Sequence, residues 1–151
     1  MSLIHEKLYK SSNLAKLKIK NYIQDLCFTI LETYESDVKI DFSFEIEEQE
    51  FGIDTLIPLG LIINELLSNS IKYAFEGKTE GHIDIALSFS EDETVFILKD
   101  NGMGADLTWE ELKEDSLGLE LVESLTEQLD GKMDLETSTG FHYTFTFPLL
   151  S

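Results

Sequence analysis

The chain has little cysteine, proline or positive charge. One cysteine and two prolines occur in 151 residues, and 11 lysines and arginines face 30 aspartates and glutamates. A single cysteine, Cys27, excludes an intramolecular disulfide and fits a reducing compartment, so a cytoplasmic location is expected. It stands in an apolar helical stretch with Leu26, Phe28, Ile30 and Leu31 and reads as a core residue. With so few prolines, nine glycines and no low-complexity run, there is little room for a disordered linker. No apolar run is long enough to span a bilayer. The formal net charge of −19 argues against nucleic acid or an anionic membrane surface as a partner, since both require a basic patch. It also sets a problem for any phosphate ligand. A metal ion, backbone N–H groups or a locally placed lysine would have to overcome the acidic field.

What is present suits one globular domain with a core: 42% of the chain is hydrophobic and 27% charged. Ile4 to Tyr9 reads as the end of a helix, broken at Ser11, Ser12 and Asn13. Tyr22, Ile23, Leu26, Ile30, Leu31 and Tyr34 recur at helical spacing and predict an amphipathic helix over Lys20 to Tyr34. From Val38 to Ile46 apolar and polar residues alternate, the period of a strand with one buried face. An acidic turn, a short strand near Phe51 to Ile53 and Asp54 as N-cap then introduce a long helix, with Pro58 near its first turn. His82 to Phe89 and Thr94 to Lys99 predict a hairpin. Ala105 to Ser116 is acidic and irregular, with one turn near Trp109. Leu117 to Leu129 is helical, with Gly131 as a left-handed cap. Lys132 to Thr137 and His142 to Phe147 close the chain as a second hairpin. This order predicts an α+β two-layer sandwich, a mainly antiparallel mixed sheet covered on one face by helices.

The long helix carries an unusual stripe. Glu65, Asn69, Lys72 and Tyr73 fall within one arc of about 100° on a regular helix, while Leu59, Ile63, Leu67, Ser70 and Ala74 lie opposite and can face a core. Burying such polar groups without partners costs on the order of several kcal/mol, so something polar should meet them. The stripe alone is equally compatible with a solvated face and with a binding site.

A second constellation favours the site. Asp100 ends a strand and is followed by Gly102 and Gly104. A strand-end carboxylate can accept a hydrogen bond from an exocyclic amine, and missing side chains let a flat ring approach the backbone. Adenine offers that amine where guanine offers a carbonyl. A third element, Ser116-Leu117-Gly118-Leu119, opens a helix, whose N-terminus can bind phosphate.

The spacing N-E-x-x-x-N-x-x-K-Y, then D-x-G-x-G, then S-L-G-L resembles the GHKL ATP-binding superfamily, and within it the catalytic ATP-binding domain of short-lid sensor histidine kinases. The likeness is strongest from Ile53 to Pro148. His5 to Leu17 is similar to the segment that joins dimerisation helices to the ATP domain, so residues 1–17 are expected to be helix end and linker and residues 18–151 the catalytic domain. The resemblance implies a Bergerat-type sandwich with ATP and Mg²⁺. It implies that Asn69 binds Mg²⁺, Glu65 assists transfer, Lys72 approaches the phosphates and Tyr73 packs near adenine. Asp100 would read adenine beside Gly102 and Gly104, and Leu117, Gly118 and Leu119 would lie on the phosphate side. A magnesium ion would answer the charge problem.

There are departures. Ser116 stands where many relatives have glycine, Phe141 replaces a frequent threonine, and a phenylalanine box of longer lids is absent. No phosphoacceptor histidine box is present; His5, His82 and His142 read as surface or edge residues. The resemblance therefore implies a fragment that does not phosphorylate itself. Its expected partners are ATP or ADP, a histidine-bearing dimerisation domain of the same protein and a response regulator receiver domain. Two alternatives remain, an anti-sigma-type serine kinase and a non-catalytic nucleotide-sensing interaction module.

Overall fold

Alternating and helical periodicities sort the chain into a sheet and a helical layer that share one core. The computed structural model describes residues 16–34, 37–114 and 116–151. The expected helix end at Ile4 to Tyr9, its break, His5 and nearly all of the linker lie outside the described residues.

In chain order the elements are β1 (Leu17–Lys18), α1 (Ile19–Thr33), β2 (Lys39–Ile46), β3 (Glu50–Phe51), α2 (Ile53–Asn69), a π-helical turn (Ser70–Ala74), β4 (Glu80–Phe89), β5 (Glu93–Asp100), α3 (Trp109–Glu114), α4 (Leu117–Gln128), β6 (Lys132–Glu136) and β7 (His142–Pro148). The main sheet runs β2-β4-β5-β7-β6. Only β2 and β4 are parallel within it; the other pairs are antiparallel. The expected α+β sandwich with a mainly antiparallel mixed sheet is borne out. The two-residue strands β1 and β3 form a separate antiparallel pair in which Leu17 faces Phe51.

One sheet face is dry because every second residue of its central strands is apolar: Ile83, Ile85 and Leu87, then Phe96 and Leu98, then Tyr143, Phe145 and Phe147 are all at most 1% exposed. Helices α1, α2 and α4 cover that face, with α2 packed against both of the others. Helix α1 presents Ile19, Tyr22, Ile23, Leu26, Cys27 and Ile30, the spacing of a single stripe. Burial pushes the Cys27 thiol up to about 12, as suits an inert core residue.

Local details differ from the sequence reading at four points. Asp54 is not the N-cap of α2; Gly52 is, without a side-chain cap, and exposed Asp54 lies in the first turn. Pro58 sits inside α2 rather than in its first turn. Its missing N–H removes the helical hydrogen bond that the Asp54 carbonyl, one turn earlier, would otherwise receive. The left-handed residue after α4 is Asp130 (φ 56°), not Gly131. Gly131 is small for another reason, since a Cβ there would stand 2.3 Å from the Phe147 ring. Finally, the irregular acidic segment contains a six-residue helix, α3.

Candidate functional site

The last regular turn of α2 gives way to a π-helical turn over Ser70–Ala74, and this shift in phase builds the site. A π turn holds one residue more than an α turn, so side chains beyond Asn69 no longer follow the regular arc. Ser70, 4% exposed, and Ala74, packed against the core, keep the inward side expected of them and there line a cavity together with Asn69 and Tyr73. Lys72 leaves the stripe. Its Nζ lies 4.8 Å from the centre of the Tyr34 ring, and it does not line the cavity.

Phe75, 1% exposed, then pins the end of the turn against β4. A Cβ at Gly81 would come within 2.7 Å of its ring, so only glycine lets strand and ring meet at this distance.

The cavity has a volume of about 440 Å³. Its helical wall is Asn69, Ser70, Tyr73 and Ala74. Its floor is Asp100 with Phe141 and Tyr143, and Met103, Gly104 and Ala105 form the strand-exit side. Leu112 of α3 and Ser116 and Leu119 at the start of α4 close the remainder. The walls are mostly apolar, with Asp100 the one acidic group among them. This combination suits a flat, mostly apolar ligand with a few polar edges.

Asp100 ends β5 and is 1% exposed. Its Oδ1 accepts from the backbone N–H groups of Gly102 and Phe141, each at 3.0 Å. Its Oδ2 accepts from Ser70 Oγ at 2.8 Å. A carboxylate offers about four lone-pair sites. Three are occupied, and the remaining acceptor capacity is on Oδ2, within the cavity lining. Tyr143, also in the floor, has its phenol pushed well above the ordinary range, first by burial and then by the charge of Asp100. It is a neutral apolar wall at any physiological pH.

The two glycines after Asp100 are small for a reason beyond the ring approach that the sequence reading expected. A Cβ at Gly102 would lie 2.4 Å from the Ala74 carbonyl oxygen, and one at Gly104 would lie 2.0 Å from that of Thr137. Gly104 is also left-handed, at φ 69°. The chain passes between the end of α2 and the loop before β7, tied by Met103 N–H to Ala74 O (3.1 Å) and Ala105 N–H to Thr137 O (3.0 Å). Gly140 completes the arrangement. At φ 107°, its would-be Cβ lies 2.1 Å from the Asp100 carbonyl oxygen.

At the far end, the role of Ser116 is visible in its bonds. It is the N-cap of α4, and its Oγ accepts from Leu119 N–H at 3.1 Å. That cap uses the Leu119 N–H, and Glu120 N–H donates to the Ser116 carbonyl. Leu117 and Gly118 supply the N–H groups of this turn that make no hydrogen bond among the described residues. The Leu117 side chain is 85% exposed and Leu119 is 5% exposed. Glu65 reaches this turn rather than the cavity. Its Oε2 lies 2.3 Å from where a Gly118 Cβ would stand.

Of the residues expected to form the site, Asn69, Tyr73, Asp100, Gly104 and Leu119 line the cavity. Glu65, Gly102 and Gly118 border it through neighbours. Lys72 and Leu117 point elsewhere. Sequence reasoning missed Ser70, whose role depends on Asp100 meeting it from 30 residues away, and Tyr143, which reads as an ordinary inward strand residue. Among the described residues no three His, Cys, Asp or Glu side chains gather as metal ligands. No described helix is long and apolar enough to cross a membrane.

An α+β sandwich holding a carboxylate-floored cavity beneath a short lid defines a domain of the ATPase class. Residues 54–151 match the family of histidine kinase-, DNA gyrase B-, and HSP90-like ATPases, and the chain belongs to that family. Membership implies ATP binding and bears out the expected GHKL assignment. Residues 1–34 match a second family described as histidine kinase. The chain is 34% identical over 84 residues to the sensor histidine kinase PdtaS of Mycolicibacterium smegmatis, covering 54% of this chain and 17% of that protein. It is 29% identical over 93 residues to the serine-protein kinase RsbW of Listeria innocua, covering 52% of this chain and 59% of that protein. The chain thus spans less than two thirds of either relative. Among solved structures it is similar to the histidine kinase domain of the Erythrobacter litoralis EL346 blue-light activated histidine kinase. The TM-score is 0.76 at 21% identity, over 88% of this chain and 62% of that one, a likeness of fold.

Proposed function

We propose that this chain is the ATP-binding catalytic domain of a two-component sensor histidine kinase. It would transfer the γ-phosphate of ATP to a histidine on a dimerisation domain, from which a response regulator receiver domain would take it. The observation that carries the nucleotide reading is the hydrogen-bond count at Asp100. One acceptor site of a buried carboxylate is left over in the cavity, and adenine brings the exocyclic amine to fill it. Guanine would bring a carbonyl oxygen against a carboxylate.

Met103, Phe141 and Tyr143 supply apolar surface for the base, with Tyr73 at the rim. The phosphates would extend toward the start of α4, where Leu117 and Gly118 present N–H groups. Lys72 reaches them only by leaving the Tyr34 ring. An exposed cation–π contact is worth about 0.5–1 kcal/mol, less than the roughly 1.5–3 kcal/mol of a charged hydrogen bond, so the exchange favours phosphate.

Asn69 fits a magnesium ion, with a hard carboxamide oxygen in the cavity wall and no bond committing it among the described residues. Among the described residues no three His, Cys, Asp or Glu side chains cage an ion, so it would be carried in by the nucleotide and hold several waters. When bound, Mg²⁺ neutralises phosphate charge. Glu65, beside Gly118, would accept the proton of an incoming imidazole as its nitrogen takes the phosphoryl group and ADP leaves. The chain's main contribution is position and electrostatics.

Calorimetric titration with Mg-ADP, with GDP and Asp100→Asn as controls, tests the pocket. Magnesium-dependent adenine binding that weakens in the variant is expected; equal binding of GDP would sink the reading. Transfer is tested with labelled ATP and the histidine-bearing helical region. Acid-labile label on histidine supports the kinase, acid-stable label on a partner serine supports the RsbW-like alternative, and binding without transfer supports a nucleotide-sensing module. The histidine kinase match at residues 1–34 favours the first.

A further inference from the structure

Helix α3, over the cavity, has six residues and none of them is buried. So short a helix does not hold itself in water. Its segment, residues 105–116, also carries five acidic residues and Lys113 as its only basic one. Something must fix it.

A capping box closes its start, the Thr108 and Glu111 side chains each accepting from the other's backbone N–H. Trp109 and Leu112 pack against the core, and one side chain of the neighbouring helix ties it down. Glu123 of α4 accepts from Trp109 Nε1 through Oε2 at 3.0 Å, and from Lys113 Nζ through Oε1 at 2.9 Å and Oε2 at 2.8 Å. Trp109 and Lys113 are four apart, so both ends of the same face of α3 meet one carboxylate. Glu110 adds a second partner for Lys113 at 3.1 Å. Leu112, between the two anchored residues, lines the cavity. Beneath the indole a smaller groove of about 200 Å³ runs along Val122, Thr126, Gly131 and Met133.

We propose that Glu123 is a positioning residue that latches the lid helix over the nucleotide cavity before any ligand arrives. Its effect on binding rests on the nucleotide reading above; the latch itself does not. The Lys113 side chain is 18% exposed and that of Glu123 38%. A pair so placed, carrying three hydrogen bonds, holds more firmly than a freely solvated one but remains breakable. With the lid held, Leu112 shapes the cavity in advance and the ligand is spared the ordering of this segment. Without it, only a fraction of molecules is competent, and apparent affinity falls by that fraction.

Trp109 is the only tryptophan, so its emission reports on the latch alone. The chain and its Glu123→Ala, Glu123→Gln and Lys113→Met variants are compared, first without ligand, by acrylamide quenching and emission maximum. Glu123→Ala should raise the quenching constant roughly two- to fivefold with a red shift, as for a half-covered indole released to solvent. Glu123→Gln keeps an acceptor for the indole and should fall between. Combining Lys113→Met with Glu123→Ala should add nothing, because the two act through one contact. Mg-ADP dissociation should speed up about three- to tenfold in Glu123→Ala, with association within about twofold.

Unchanged Trp109 quenching in Glu123→Ala overturns the latch, whether or not nucleotide binds. Released Trp109 with unchanged dissociation overturns its part in shaping the cavity. If the unmutated chain binds no nucleotide, the functional reading fails, and the ligand-free quenching decides the latch by itself.

Discussion

Ser70 Oγ donates to Asp100 Oδ2 across 2.8 Å, joining the first residue of the π turn to the last residue of β5. The bond locks the helical layer to the sheet at the one place where a carboxylate meets the cavity. Because Oδ1 already holds two backbone N–H groups, Ser70 sets how much of Oδ2 remains for a ligand.

Asp100→Asn should therefore separate affinity from stability. An asparagine keeps its oxygen on the Gly102 and Phe141 N–H groups and turns its NH₂ toward Ser70, whose hydroxyl can accept. The cavity then meets a donor instead of an acceptor. Loss of a charged hydrogen bond, about 1.5–3 kcal/mol, predicts roughly tenfold to hundredfold weaker Mg-ADP binding. Calorimetry read beside a urea melt checks this, and a matching loss of stability would refute it.

Gly102→Ala and Gly118→Ala should differ sharply. At Gly102 the new methyl meets the Ala74 backbone carbonyl at 2.4 Å, which cannot move without shifting the end of α2. At Gly118 it meets the tip of the Glu65 side chain, which can swing away. Urea denaturation should show a loss of about 1–3 kcal/mol for the first and less than about 0.5 kcal/mol for the second.

Ser116→Ala should cost about 0.5–2 kcal/mol, because it leaves the Leu119 N–H without its cap, while Ser116→Gly should cost only a few tenths. Thermal melts of the two variants give the comparison. Equal melting points would mean that the cap contributes nothing.

The lid contact should open in acid. Hydrogen bonds from Lys113, then Trp109, hold the Glu123 carboxyl below its ordinary value of 4.5. A depressed carboxyl contributes stability above its unfolded value, and that contribution is lost as pH falls through the folded value. Lys113 is raised by hydrogen bonds to Glu123 and Glu110, so its share persists until pH climbs past the ordinary lysine range. Trp109 emission should stay level through neutral pH and shift only below the ordinary carboxylate range. A shift centred near neutrality would contradict this origin.

Much of the fold was legible because it is written in near-neighbour periodicity. The alternation from Val38 to Ile46 and the stripe from Tyr22 to Ile30 report burial one residue at a time, and β4–β5 is a hairpin closed by a short turn. The chain order then restricts the layers to a sandwich. Asp100, Asn69 and Gly104 were visible as site residues because their chemical type and spacing resemble a known family.

What stayed hidden depends on contacts across the sequence or on a change of phase within an element. A regular 100° turn sends Lys72 to the ligand; the structure, with a π turn here, sets it over the Tyr34 ring, and nothing in Ser-Ile-Lys-Tyr-Ala announces it. Gly102, Gly104 and Gly131 look like turn residues. Each is small because a distant group, Ala74, Thr137 or Phe147, passes too close for a methyl, and Gly104 alone of the three is left-handed besides. Local periodicity thus determined the layers and the dry face of the sheet, and the resemblance to a known family marked the cavity's carboxylate. The tertiary structure alone decided which atoms of that carboxylate are spent and which is left. A hydrogen bond such as Ser70 to Asp100 joins residues 30 apart and exists only after both layers have met.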